Sequence, residues 1–216
     1  MSYRNWWTKW QVKERIDNMS KKAENRVEIE FTTKEGYQVI VIDYVNAKKV
    51  QVMFLDENKW TTWTTWIILK NGELRNAFHP SVYEVGYLGV DEHGNRQNTS
   101  KFRKEYEMWH SMMDRCYGDK EHHKSYKNVT VCKEWHSFSQ FLKDMPKIKG
   151  YELWKNNTGG ISLNKDIYYA ELGIETDCKE YSLETTRFIT NSENSREMAK
   201  RMRDTKQRDE RGRYVK

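Results

Sequence analysis

An α+β fold is predicted by three features of the sequence. These are a helical N-terminal stretch, a block of short period-two segments, and a longer half with apolar residues every three or four positions. Residues 1–25 read as a Trp-rich, basic helix with Trp6, Trp7, Trp10 and Ile16 loosely on one side. Three Trp in five residues more often pin a helix onto a sheet than stack on bases.

Residues 26–90 read as a small β module. Residues 27–31 alternate with period two, and residues 37–44 and 50–55 are rich in β-branched and aromatic side chains. Lys34-Glu35-Gly36 and Asn46-Ala47-Lys48 supply turns between them. Residues 60–69, opening with alternating Trp and Thr, read as a further strand before a turn at Lys70-Asn71-Gly72. Strands this short and closely spaced predict a small antiparallel sheet or an SH3-like barrel. The polar run 91–100, with Gly94, Asn95 and Asn98, marks a domain junction.

Residues 100–199 read as a mainly helical domain. Phe102, Tyr106, Trp109, Met113 and Cys116 recur at helical spacing and predict a helix over 100–117. A second helix follows Val129-Thr130-Val131-Cys132, with Trp135, Phe138, Phe141, Leu142 and Met145 on one face, and Pro146 ends it. Gly159 and Gly160 mark a loop before Ile161-Ser162-Leu163. The last helix opens with the capping box Thr190-Asn191-Ser192-Glu193. It runs toward Arg208 with only Met198, Ala199 and Met202 apolar, so it lies in solvent or against something charged.

Composition bounds the function. Only 37% of the 216 residues are hydrophobic, and mean hydropathy is −1.03. Nine Trp and thirteen Tyr nevertheless bury enough area per residue for a folded core. No stretch approaches the roughly 18 apolar residues of a membrane span, and the N-terminus lacks the apolar centre of a secretory signal. Three Cys are too few for a disulfide framework, which points to a reducing cytoplasm. The net charge of +6 is concentrated at the ends, with +4 over residues 1–26 and +5 over the basic tail, 200–216. Basic ends on a neutral body suit a protein that grips a polyanion, because each phosphate contact releases counterions.

Several side-chain constellations bear on chemistry. Cys116, His122, His123, Cys132 and His136 contain zinc-ligand types, but there is no Cys-x2-Cys knuckle and zinc is not expected. His110, Glu134 and His136 could form an acid–base set, although a Glu at the start of a helix is more simply stabilised by the helix dipole. Walker, dinucleotide-binding and nucleophile-elbow motifs are missing, so nucleotide hydrolysis and serine-hydrolase chemistry find no support.

One ordered set of motifs resembles a known family. The run is Trp109-x2-Met112-x2-Arg115-Cys116-Tyr117, Tyr126, and Val129-x-Val131-Cys132-x-Glu134-Trp135-x2-Phe138-x2-Phe141-x2-Asp144-Met145. Ser162-Leu163-Asn164-Lys165-Asp166-Ile167, Tyr181-Ser182-Leu183-Glu184-Thr185, Arg187-Phe188 and Asn194 follow. Together they resemble bacteriophage HNH-type, homing-endonuclease-like proteins over about residues 100–200. Lys70-Asn71-Gly72-Glu73-Leu74-Arg75-Asn76 and Val85-Gly86-Tyr87-Leu88-Gly89 resemble N-terminal modules of such proteins.

The resemblance implies a ββα nuclease core acting on duplex DNA in a bacterial host cytoplasm. In such a core a His activates water, and a magnesium ion polarises the scissile phosphate. Carried onto this chain, the catalytic positions are Lys165 and Asp166, and the metal positions are Asn164, Asp166, and Asn191 or Asn194. Lys165 stands where the family places its His, and Asn164 where it usually places Asp. Leu183 replaces the usual Pro, and Thr186 the usual Cys. Arg187, Arg196, Lys200, Arg201 and Arg203 are the candidate phosphate contacts. Two readings stay open. One is an HNH-type DNA-binding protein, cutting with magnesium if the site is active. The other is an inactive nuclease scaffold that binds a host protein or ribonucleoprotein through Trp60, Trp63 and Trp66.

Overall fold

The computed structural model describes residues 26–156 and 159–204. The expected helix over 1–25, and the part of the basic tail beyond residue 204, lie outside the described residues. The chain is α+β and divides into two compact units.

The first unit comprises residues 26–79 and 90–96 of the described chain. Its strands are β1 (Glu30–Thr32), β2 (Gln38–Asn46), β3 (Lys49–Phe54) and β4 (Thr61–Thr64). They form an antiparallel sheet in the order β1-β2-β3-β4, with Val39 opposite Phe54 and Val50 opposite Thr64. Alternation puts Val39, Val41, Val50, Val52 and Phe54 on the buried face, as period-two patterning requires. Asn46 closes the β2–β3 turn by accepting the Lys48 N–H at 2.9 Å. The alternating run beginning at Trp60 is not one strand through Leu69. Thr65 is extended and its hydroxyl caps a helix α1 (Trp66–Lys70), accepting from Ile68 N at 3.4 Å. A capping Thr ahead of Ile67-Ile68-Leu69 ends the strand although the apolar pattern continues.

The second unit comprises residues 80–89 and 97–204 of the described chain. This division differs from the boundaries expected at 90 and 100. Val82 and Leu88 are buried in the second core, and Tyr87 N–H donates to His136 O at 2.9 Å, whereas the Trp60 indole donates to Gly94 O at 2.7 Å within the first unit. Short apolar runs reveal burial but not which core will receive them.

Helix α2 (Arg103–Tyr117) buries Trp109, Met112, Met113 and Cys116. The second predicted helix is broken into a 3₁₀ turn (Lys133–His136), α3 (Phe138–Asp144) and a 3₁₀ turn (Met145–Lys147). Ser137 interrupts it by capping α3, and Pro146 ends it as predicted. The break lets the Trp109 indole reach Trp135 O at 2.7 Å, and the Trp135 indole reach Asp144 at 3.2 Å. α4 (Tyr151–Asn156) follows, placing Trp154 against Phe188 with ring centroids 5.4 Å apart.

Strand β5 (Thr130–Val131) pairs in parallel with β7 (Glu180–Tyr181). Strand β6 (Ile161–Asn164) pairs antiparallel with β8 (Arg187–Thr190), and α5 (Asp166–Glu171) fills part of the connection between them. α6 (Asn191–Asp204) starts directly after β8. No helix among the described residues is long and apolar enough to cross a membrane.

Candidate functional site

The strand–strand–helix element formed by β6, β8 and α6 collects most of the predicted site residues. Its geometry begins with the predicted capping box. Thr190 N–H donates to Glu193 Oε2 at 2.8 Å, and Glu193 N–H donates to Thr190 Oγ1 at 3.1 Å. These bonds start the helix at the end of β8 and hold the Glu193 carboxyl below its ordinary pKa.

Asn164 and Asn194, 30 residues apart, meet across the strand and the helix. Asn164 Nδ2 donates to Asn194 Oδ1 at 2.7 Å, and Asn164 Oδ1 accepts from Ile167 N at 3.0 Å. Asn164 is buried, so both of its polar ends are satisfied inside the protein. Asn191 lies one helical turn earlier and accepts from Ser162 Oγ at 2.6 Å.

Lys165 is the buried charge of the element, with a side chain 3% exposed. Its ammonium lies 4.7 Å from the Tyr126 ring centroid and 5.0 Å from that of Tyr181. It is 3.4 Å from both Asp166 oxygens, and Lys179 reaches the same carboxylate at 2.8 Å. Desolvation pulls the Lys165 pKa below its ordinary value, although Asp166 acts in the opposite direction. Lys165 and Asp166 thus form an internal charge cluster with Lys179, a partner that the sequence did not single out.

This donor set does not fit a magnesium ion. Hard cations take anionic oxygens in preference to amides. Three of the four predicted ligands are amides engaged in protein hydrogen bonds, and the sole carboxylate is shared by two ammonium groups. Among the described residues, no group of three or more His, Cys, Asp or Glu could hold a metal.

The predicted phosphate contacts separate. Arg187 is already engaged, its guanidinium forming a two-pronged pair with Glu171 at 2.6 and 2.6 Å. Nothing in the sequence pattern marked Glu171, which α5 brings into range. Arg196, Lys200 and Arg203 are exposed on α6, while the Arg201 side chain lies outside the described set.

The remaining candidates scatter. His110 packs against Tyr83 and Tyr106, whereas His136 contacts Val131 O at 3.1 Å and Tyr117 OH at 3.3 Å. Burial pushes the Cys116 and Cys132 thiols up to about 11, and Glu134 adds to the effect on Cys132. His122 pairs instead with Asp119, and His123 with Asp114. The Trp60–Trp63–Trp66 surface is reduced to Trp63. Trp60 is buried on Phe54 at 5.3 Å, and Trp66 packs edge-on against Phe31 and Tyr44, leaving Trp63 44% exposed.

Comparison with protein-family models, curated proteins and solved structures finds no match to this chain.

Proposed function

We propose that the chain is a duplex-DNA-binding protein of the phage HNH homing-endonuclease type, acting in a bacterial host, whose ββα element binds DNA without cutting it. The observation that carries the reading is the exposed stripe of Arg196, Lys200 and Arg203 on a helix that emerges directly from an antiparallel strand pair. These residues stand at i, i+4 and i+7 and therefore share one face over roughly 10 Å. With one phosphate per about 3.4 Å along each strand, that length spans about three phosphates. In this reading β6, β8 and α6 are the HNH-type core, and the four-stranded sheet is an SH3-like module.

Absence of cutting rests on Lys165. Where the resemblance calls for a solvent-accessible base, the chain has an ammonium closed between two tyrosines and neutralised by Asp166. Fluorescence anisotropy on labelled duplex DNA tests the reading. Single alanines at Arg196, Lys200 and Arg203 each reduce the slope of log K against log salt by about 0.9. Salt-independent binding, or slopes unchanged by all three, overturns it. Nicking of supercoiled DNA with magnesium but not with EDTA overturns the non-cutting part.

A second reading, binding to a host protein or ribonucleoprotein, is supported by exposed Trp63 with Lys49 4.9 Å above its ring. Under that reading Trp63→Ala weakens a host complex and leaves DNA binding unchanged.

A further inference from the structure

We propose that a groove along α2 is a binding site for an alkylammonium group, independent of the DNA reading. The groove is a shallow depression, open to solvent, of about 340 Å³, and is lined by Tyr83, Tyr106, Glu107, His110, Ser111 and Asp114. That volume lies at the small end of ligand sites, enough for an amine or one long side chain.

The walls are aromatic. Tyr106 and His110 are four residues apart on the helix with ring centroids at 5.7 Å, and Tyr83 adds a third ring 5.2 Å from His110. Tyr83 comes from a tight turn in which Val82 and Gly86 exchange backbone hydrogen bonds, with Tyr83 and Glu84 both at positive φ, 52° and 60°. Asp114, which lines the groove with Tyr83, contacts His123 Nε2 at 3.1 Å. Desolvation and the nearby Asp114 push the Tyr83 phenol up to about 12, so it stays neutral, and the neighbouring Tyr83 phenol and His123 hold the Asp114 carboxyl below the usual carboxylate range, so it stays charged.

The charge lining the groove is acidic. Glu107 and Asp114 stand seven residues apart on the helix face that carries His110 and Ser111, and no Lys or Arg lines the groove. Two carboxylates among aromatic faces are the chemistry that takes up an organic cation, because ring faces and carboxylates both attract positive charge. An anion would meet two like charges. Glu107 already accepts a cation of this type from the rim, the exposed Arg103 guanidinium at 2.8 Å. An exposed pair of this kind is weak enough to exchange. A free polyamine and a lysine side chain present the same ammonium.

The test is an amide NMR titration of the full chain with putrescine, with N-acetyl-lysine methylamide, and with the uncharged N-acetyl-norleucine methylamide. Shifts confined to residues 82–86 and 106–114 for either ammonium, and none for norleucine, support the site. The tighter of the two identifies its source. Glu107→Gln, an exposed change that does not threaten folding, weakens binding by about 3–10-fold. Arg103→Ala strengthens it by removing the competing guanidinium. Equal shifts with the norleucine probe, no shifts with either ammonium, or unchanged affinity in Glu107→Gln would overturn the proposal.

Discussion

If Lys165 and Asp166 are an internal charge cluster, removing the carboxylate and removing the buried ammonium have very different costs. Asp166→Asn leaves Lys165, 3% exposed, without its anion and still repelled by Lys179. Attraction at 3.4 Å is about 5 kcal/mol at an effective dielectric of about 20. Two tyrosine faces return only about 1–2 kcal/mol. The expected cost is therefore about 3–5 kcal/mol, the usual penalty for stranding one partner of a buried pair. Lys165→Met behaves otherwise. Asp166 keeps Lys179 at 2.8 Å, the repulsion between ammonium groups disappears, and a thioether of similar length fits between the rings. Its expected effect is within about 1 kcal/mol of the parent. Urea unfolding followed by tryptophan fluorescence checks both variants, because Trp109, Trp135 and Trp154 are buried in the second unit and only Trp60 is buried in the first among the described residues. Equal costs, or a larger cost for Lys165→Met, would refute the argument that Asp166 is present to neutralise Lys165.

Three further outcomes follow from the same element. Lys165 has a folded-state pKa below its usual 10.5, so in the window between the two the unfolded chain binds the extra proton. Stability rises with pH through that window, and the penalty is full below the folded-state value. Unfolding free energies between about pH 7 and 10.5 should therefore show the parent gaining on Lys165→Met as pH rises, and a constant difference would contradict the sign. Asn164→Ala removes the partner of Asn194 and the acceptor for Ile167 N, costing about 2–4 kcal/mol in urea unfolding. Gly150→Ala drives a Cβ into the Phe188 carbonyl at a φ of +87°, so about 3–5 kcal/mol is expected, and a near-neutral melting curve would count against the tight approach of the chain to β8.

Parts of this fold were legible because their signals are local. The strands of the sheet, helix α2, the stop at Pro146 and the Thr190–Glu193 cap depend on side chains within a few residues of one another. Trp60, Trp63 and Trp66 show where locality fails. Their spacing suggests one shared surface, yet the sheet face and the start of α1 bury Trp60 and enclose Trp66. Arg187 shows the same limit, because the sequence does not reveal that α5 brings Glu171 to pair with it.

The amino-acid order by itself determined the α+β class, the basic residues of the last helix and the residue types at positions 164–166. It placed an amide at 164 and an ammonium at 165, where the resemblance to HNH-type proteins would call for a carboxylate and an imidazole. The tertiary structure decided what those two side chains do. Asn164 reaches Asn194 across 30 positions, and Lys165 reaches Tyr126 and Tyr181 from opposite directions along the chain. Hydrogen bonding and charge neutralisation act over a few ångströms in space, and chain folding sets those distances. Residue spacing within an element cannot reveal them.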